Sequence, residues 1–348
     1  MAYTDIDDPS LHFNTVLYTG NGGTNAITGV GFQPDWVSIK RRSGSASNGG
    51  VFDVLRGVTK LLSTSLNDAE DTRADSLTAF GTDGFTLGGD TGNYVNTNSE
   101  TFVSWNWKAG GSGSSNSDGD ITSSVSANTT AGFSIMTYTG TGSNNTVGHG
   151  LNSAPTFTII RRRDSNRNWF VSIVPYTGDT GYLYLHTTTA GGSSGQSFFT
   201  AKPTNSVMNL GTDQDANISS GSYIAYNFHD VQGYSKFGSY TGNGNADGTF
   251  VYTGFRPAWV MIKRTDSTGD WHIQDNKRDT FNPVDTSLFA NTSDADTTSS
   301  SYYTDFLSNG FKLRGTSTAR NGSGNSYVYM AFAESPFVNS NGIPANAR

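Results

Sequence analysis

Basic residues recur at one place in this 348-residue chain, as Lys40-Arg41-Arg42, Arg161-Arg162-Arg163 and Lys263-Arg264, each closing a run of alternating apolar residues. Arginine's planar fork suits bidentate contact with sulfate, phosphate or a sugar carboxylate, which would make these positions an anion-binding rim. Pairing within the molecule with the nearby Asp164, Asp266 or Asp279 is the favoured account of them. Trp169 and Trp271 each follow a polar loop, and an aromatic at such an edge can serve as a platform for a glycan ring. Trp169, Trp271, Arg163 and Arg264 are therefore the candidate ligand-binding residues.

Two acidic loops hold Asp68, Glu70, Asp71 and Asp75, and Asp294, Asp296 and Asp305. Oxygen donors at this spacing suit Ca²⁺, and solvated loops explain them too, since neither follows the D-x-D-x-D-G pattern. Asp68, Glu70, Asp71, Asp294 and Asp296 are the candidate metal ligands, and no other cofactor is expected. The five histidines show no H-x-x-x-H spacing, which argues against zinc. Gly191-Gly192-Ser193-Ser194-Gly195 matches the nucleophile-elbow pattern but sits in a Gly/Ser run without strand-then-helix context, so it reads as a loop.

The elements that position these residues are written three times. Tyr18-Thr19-Gly20, Tyr138-Thr139-Gly140 and Tyr240-Thr241-Gly242 open the copies. Trp36 to Lys40, Phe157 to Arg161 and Trp259 to Lys263 continue them, and Phe102 to Trp107, Tyr223 to Phe228 and Tyr327 to Phe332 close them. The opening tyrosine precedes the proline of each copy by 16, 17 and 17 residues, at Pro34, Pro155 and Pro257. A period near 100 residues is the size of an independent domain rather than of a solenoid repeat.

Composition agrees. With 42 Gly, 21 Phe, 16 Tyr and 6 Trp, the apolar content is concentrated in rings and the turns are supplied with glycine, as short strands require. The expected fold is all-β: three tandem antiparallel β-sandwich domains of jelly-roll or concanavalin-like type. The boundaries read as an N-terminal docking segment 1–12, sandwiches at 13–108, 132–232 and 233–336, a Gly/Ser-rich flexible linker 109–131 and a tail 337–348. The closing strands, nearly continuous in aromatics, are expected to be covered on both faces. Phe52 to Leu62 has helical spacing, but its repeat mates read as strand and loop.

A net charge of −7 argues against nucleic acid as the main partner, and zero Cys excludes a disulfide framework. No run approaches a membrane span, and Met1 to Asp8 is acidic where a secretory n-region would be basic, so synthesis in the cytoplasm is expected.

The Y-T-G-N-G opening, the G-F-x-P-x-W-V-x-I-K strand, the D-G-F-x-L strand at Asp83 to Leu87 and the closing W-N-W-K-A resemble a domain of unknown function common in marine bacteriophages, found in structural and tail-fibre-annotated genes. The resemblance implies a non-enzymatic virion structural protein displayed on the particle as a tail appendage or capsid decoration, for adhesion or particle stabilisation. It carries over no catalytic residue, because the shared pattern consists of turn and core positions. The expected partners are other virion proteins, host surface polysaccharide and further copies of the chain. A receptor-binding module for host glycan is the alternative reading. A glycan depolymerase is the third, and it lacks a repeated acidic pair.

Overall fold

The computed structural model describes residues 2–174, 181–193 and 198–345. Its regular structure is antiparallel strand, with 3-10 turns at Pro9–Leu11 and Ser300–Tyr302. Among the described residues no helix is long and apolar enough to cross a membrane.

Each copy of the repeat builds the same pair of sheets. In the first, Phe13–Thr19, Thr101–Trp107, Trp36–Arg41 and Gly50–Asp53 lie side by side, and Asn25–Ile27, Gly84–Leu87 and Leu77–Gly81 form a separate three-stranded sheet. In the second, Phe133–Thr139, Ser222–Phe228, Phe157–Arg162 and Trp169–Ile173 are the centre of an eight-stranded sheet, beside the smaller sheet of Asn145–Gly148, Val207–Leu210 and Phe199–Ala201. In the third, Ser235–Thr241, Ser326–Pro336, Phe255–Arg264 and Trp271–Asp275 stand beside Phe250–Tyr252, Gly310–Leu313 and Thr304–Leu307. One apolar cluster in each copy draws on both of its sheets.

A fourth cluster draws on all three copies. Strand alternation explains it: successive side chains point to opposite faces. Along the closing strands, Phe102, Tyr223 and Tyr327 belong to their own copy's core. Trp105 and Trp107, Tyr226 and Phe228, and Met330 and Phe332 face the shared one. The rings interlock across the copies. Trp36 stacks on Tyr226 at 4.6 Å, Phe13 on Phe332 at 5.1 Å, and Phe228 meets Phe237 at 5.7 Å. Full burial of Phe102 to Trp107 follows, since both faces are covered.

The opening tyrosine and glycine have a local reason. Tyr18, Tyr138 and Tyr240 each stack on the closing strand, on Phe102, Tyr223 and Tyr327, and donate to the carbonyls of Val95, Ala216 and Arg320 at 2.6 Å. A Cβ on Gly20, Gly140 or Gly242 would fall 2.2, 2.4 and 2.4 Å from the carbonyls of Thr97, Ile218 and Gly322, so no larger residue fits without moving backbone.

Residues 109–131, read from composition as a flexible linker, are paired strand instead. Ser114–Asn116 and Ser123–Asn128 extend the second large sheet, and the N–H groups of Ala109 and Gly111 donate to Asp35 Oδ2 at 2.7 and 3.1 Å. Its glycines serve close approach rather than freedom: a Cβ on Gly110 would lie 2.5 Å from the Ala127 carbonyl. Residues 2–12, expected to dock the chain on a particle, pack on the third copy: Tyr3 donates to Gly254 O at 2.8 Å, Ile6 enters the shared core, and Asp7 accepts from Ser340. Phe52 to Leu62 forms a strand, a turn and a second strand, as the repeat comparison expected.

Candidate functional site

The recurrent basic strand ends lie at the seams between copies. Each is buried and reaches a carbonyl on the neighbour's loop. Lys40 Nζ donates to Thr292 O of the third copy, Arg161 Nη2 to Asp68 O of the first, and Lys263 Nζ to Thr188 O of the second at 3.2 Å. Two residues further on, the backbone repeats the clasp in reverse. The N–H groups of Asp296, Glu70 and Gly191 donate to the carbonyls of Arg42, Arg163 and Thr265 at 3.1, 2.7 and 2.7 Å. The backbone donations run from first copy to second, second to third and third to first, the side-chain donations run the other way, and together the three seams close a ring.

Burial dominates the electrostatics there. Desolvation pushes the Lys40 and Lys263 ammonium groups down to about 8, and the Arg161 guanidinium down to about 10. These cations are held in place by carbonyl dipoles.

Two seams add a buried ion network. Asp53 and Arg56, both with fully buried side chains, pair at 2.5 Å, and Arg56 reaches Glu70 at 3.3 Å. From the second copy, Tyr226 Oη donates to Asp53 at 2.8 Å, and Arg163 pairs with Glu70 at 2.9 Å. The third copy repeats this against the first: Arg278 pairs with Asp275 at 2.6 Å and Asp296 at 3.0 Å, Trp105 Nε1 donates to Asp275 at 3.1 Å, and Arg42 pairs with Asp296 at 2.8 Å. Burial opposes the charge on Arg56 and Arg278, and the neighbouring carboxylates outweigh it, holding both guanidinium groups charged.

Several of the sequence-derived site residues, Trp169, Trp271, Arg163, Glu70 and Asp296 among them, are thus engaged at the seams. Trp169 and Trp271, expected as exposed platforms, are each 1% exposed. Trp169 Nε1 donates to Ser63 O and Leu66 O at 2.9 and 3.0 Å, and Trp271 Nε1 to Tyr184 O at 3.0 Å, so each ring lies beneath the neighbour's loop. Arg163 is tied to Glu70, and Arg264 to Asp266 at 2.7 Å. The five acids chosen as metal ligands do not converge. Glu70 and Asp296 bridge seams, Asp71 pairs with Arg73 at 2.6 Å, Asp68 offers its carbonyl to Arg161, and Asp294 is exposed. Among the described residues no group of three or more His, Cys, Asp or Glu could hold a metal ion. The G-x-S-x-G stretch runs into 194–197, outside the described residues.

Sequence reasoning passed over three asparagines. Asn96, Asn217 and Asn321 are almost wholly buried. Each accepts the backbone N–H just after the Tyr-Thr-Gly turn, from Asn21, Thr141 and Asn243 at 3.1, 2.8 and 3.1 Å. Their amides donate to turn carbonyls, Gly23 and Gly88, Ser143 and Gly211, Asn245 and Gly315. A signal was present, because each asparagine stands six residues before the first aromatic of its closing strand.

A family model described as a domain of unknown function (DUF7483) matches residues 8–336, a span that includes all three copies, and the chain belongs to that family. No curated protein and no solved structure matches it.

Proposed function

We propose that the chain is a non-enzymatic structural protein of a bacteriophage particle, a surface appendage or decoration made of three β-sandwich domains closed into a ring, serving adhesion or particle stabilisation. The observation that supports it is the cyclic clasp. The basic and acidic positions that recur with the repeat, and both loop-edge tryptophans, hold copy to copy. Such a unit is a rigid body suited to display, and its stability is concentrated in the shared aromatic core. The resemblance to phage structural genes supplies the setting. Virions purified by density gradient are expected to contain the chain at stoichiometric copy number by mass spectrometry, with density for it on the outer surface in particle images. Its absence from purified particles would sink the reading.

Recognition of a host glycan is the second reading, and it cannot rest on Trp169 or Trp271, which lie inside the seams.

A further inference from the structure

The repeat supplies an internal control: what all three copies share is architecture, and what one copy changes asks for another account. In the second and third copies the half-buried arginine of the strand end has its own carboxylate two residues on. Arg162 pairs with Asp164 at 2.6 Å and Arg264 with Asp266 at 2.7 Å, and the same aspartates accept the N–H of Ser222 and Ser326. In the first copy Ser43 stands there. Its Oγ keeps the backbone bond, from Thr101 N at 2.8 Å, and donates to Glu100 Oε2 at 2.7 Å, so the carboxylate at this strand end is Glu100 and Arg41 has none on its own strand. Arg41, 4% exposed, bonds neutral acceptors instead: Ser45 O at 2.9 Å, Asn93 O at 2.9 Å and Thr97 Oγ1 at 2.7 Å, while its Nε has no partner.

Arg41 lines a concavity of about 410 Å³ with Asn48, Asn93, Thr97 and Glu100. Tyr94 is the wall between it and a second concavity of about 370 Å³, where Asp71, Arg73 and Asn166 stand. Both volumes fall in the range of small-molecule sites, roughly 300–1,000 Å³. Tyr94 belongs to the first copy alone; two residues before the buried asparagine the other copies carry Asp215 and Ala319. Its loop is also strained there. Asp90 and Asn93 are left-handed, with φ of 50° and 59°, and their counterparts Gly211, Gln214, Gly315 and Thr318 are not. Ser99, with φ of 65°, has left-handed counterparts in Ser220 and Gly324 and so is architecture.

We propose that this two-lobed groove, built by the first copy and completed by Asn166 of the second, binds a neutral saccharide chain that crosses Tyr94, with one lobe on either side. Planar two-atom groups, the guanidinium of Arg73, the carboxylates of Glu100 and Asp71 and the amides of Asn48, Asn93 and Asn166, match adjacent ring hydroxyls as donors and acceptors. The Arg73 guanidinium lies over one face of Tyr94, 5.2 Å from the ring centre, so the apolar surface Tyr94 offers to the C–H face of a sugar is the rest of the ring. Charge is balanced within each lobe, Arg41 against Glu100 and Arg73 against Asp71, which selects a neutral chain over a uronic one. The groove goes beyond the particle reading and is tested on the purified chain, so either can fail without the other.

The test is calorimetric titration of the full chain with cellotetraose, maltotetraose, laminaritetraose and a galacturonic acid tetramer. A neutral tetramer is expected to bind. Tyr94→Ala and Ser43→Asp, the latter setting a second carboxylate beside Glu100 and upsetting the charge balance of that lobe, are each expected to weaken it about tenfold or more, equivalent to ~1.4 kcal/mol. Thermal melts of both variants check the fold, and Ser43→Asp leaves the core untouched should Tyr94→Ala melt early. No heat with any neutral probe, unchanged affinity in Ser43→Asp, or binding of the uronic tetramer alone would each overturn the proposal.

Discussion

At the seam between the first and second copies, Asp53, Arg56 and Glu70 form a buried network that takes a hydrogen bond from Tyr226. At the seam between the second and third, the place of Asp53 is held by Ile173, that of Glu70 by Gly191, and Met330 stands where Tyr226 does. Both seams keep the strand-end cation on a neighbour's carbonyl and the N–H to carbonyl bond beside it. The backbone clasp is therefore the constant part, and the filling beneath it is either ionic or apolar. A buried ion pair carries a desolvation penalty of several kcal/mol per ion, recovered only by good geometry, so the two fillings can be close in stability while differing sharply in how they fail.

The sharpest way to break the comparison is to remove one charge. Arg56→Ala leaves Asp53 buried and uncompensated, and urea denaturation is expected to show a loss of about 3–5 kcal/mol. Converting the seam to its apolar relative, Asp53→Ile with Arg56→Met and Tyr226→Met, is expected to recover most of that. An equal loss in both variants would refute the interchangeability of the fillings.

Next in size are the asparagines. Asn96→Ala, Asn217→Ala and Asn321→Ala each leave buried turn groups unpaired, at about 1–3 kcal/mol per group. The three melting temperatures should fall alike, because this device is common to all copies; a drop confined to one copy would show that the turns are unequal.

The lysine clasps give a pH test. Lys40 and Lys263 titrate near 8 in the folded chain and near 10.5 when unfolded. Between those values the unfolded state binds more protons, so stability rises with pH across that window, by up to ~1.4 kcal/mol per pH unit for each lysine. Lys263→Met should flatten the rise by its own share, read from denaturation midpoints at pH 8, 9 and 10. A slope unchanged by the substitution would remove Lys263 from the account.

The smallest effect belongs to the outer pairs. Arg264→Ala, which breaks a partly exposed pair with Asp266, is expected to cost under about 1 kcal/mol. A cost matching that of Arg56→Ala would mean that seam and surface pairs are not distinct.

Much of the fold was legible because strand alternation and the threefold recurrence are local or periodic signals. The turn at Tyr18, the aromatic closing strands and the basic strand ends all stood where their spacing put them. What was not legible has one physical cause: the partner comes from another copy. Trp169 reads as a loop-edge ring until the first copy's Ser63 and Leu66 carbonyls meet its indole N–H. Glu70 reads as a solvated or metal-binding acid until Arg163 arrives from 93 residues away. Gly110 reads as a flexible joint because composition cannot distinguish a glycine that moves from one that lets a carbonyl come close. Tyr94 was passed over because only comparison among the copies makes it unusual.

The ring is drawn from one continuous chain, and that has a consequence for what it can become. Three identical short chains around an axis would carry every substitution three times, so a groove opened in one would open in all and weaken every junction together. Covalent linkage lifts that constraint. One junction can turn apolar while two stay ionic, and a single copy can give up its Arg-x-Asp pair at Ser43 and gain Tyr94 while the other two preserve the frame.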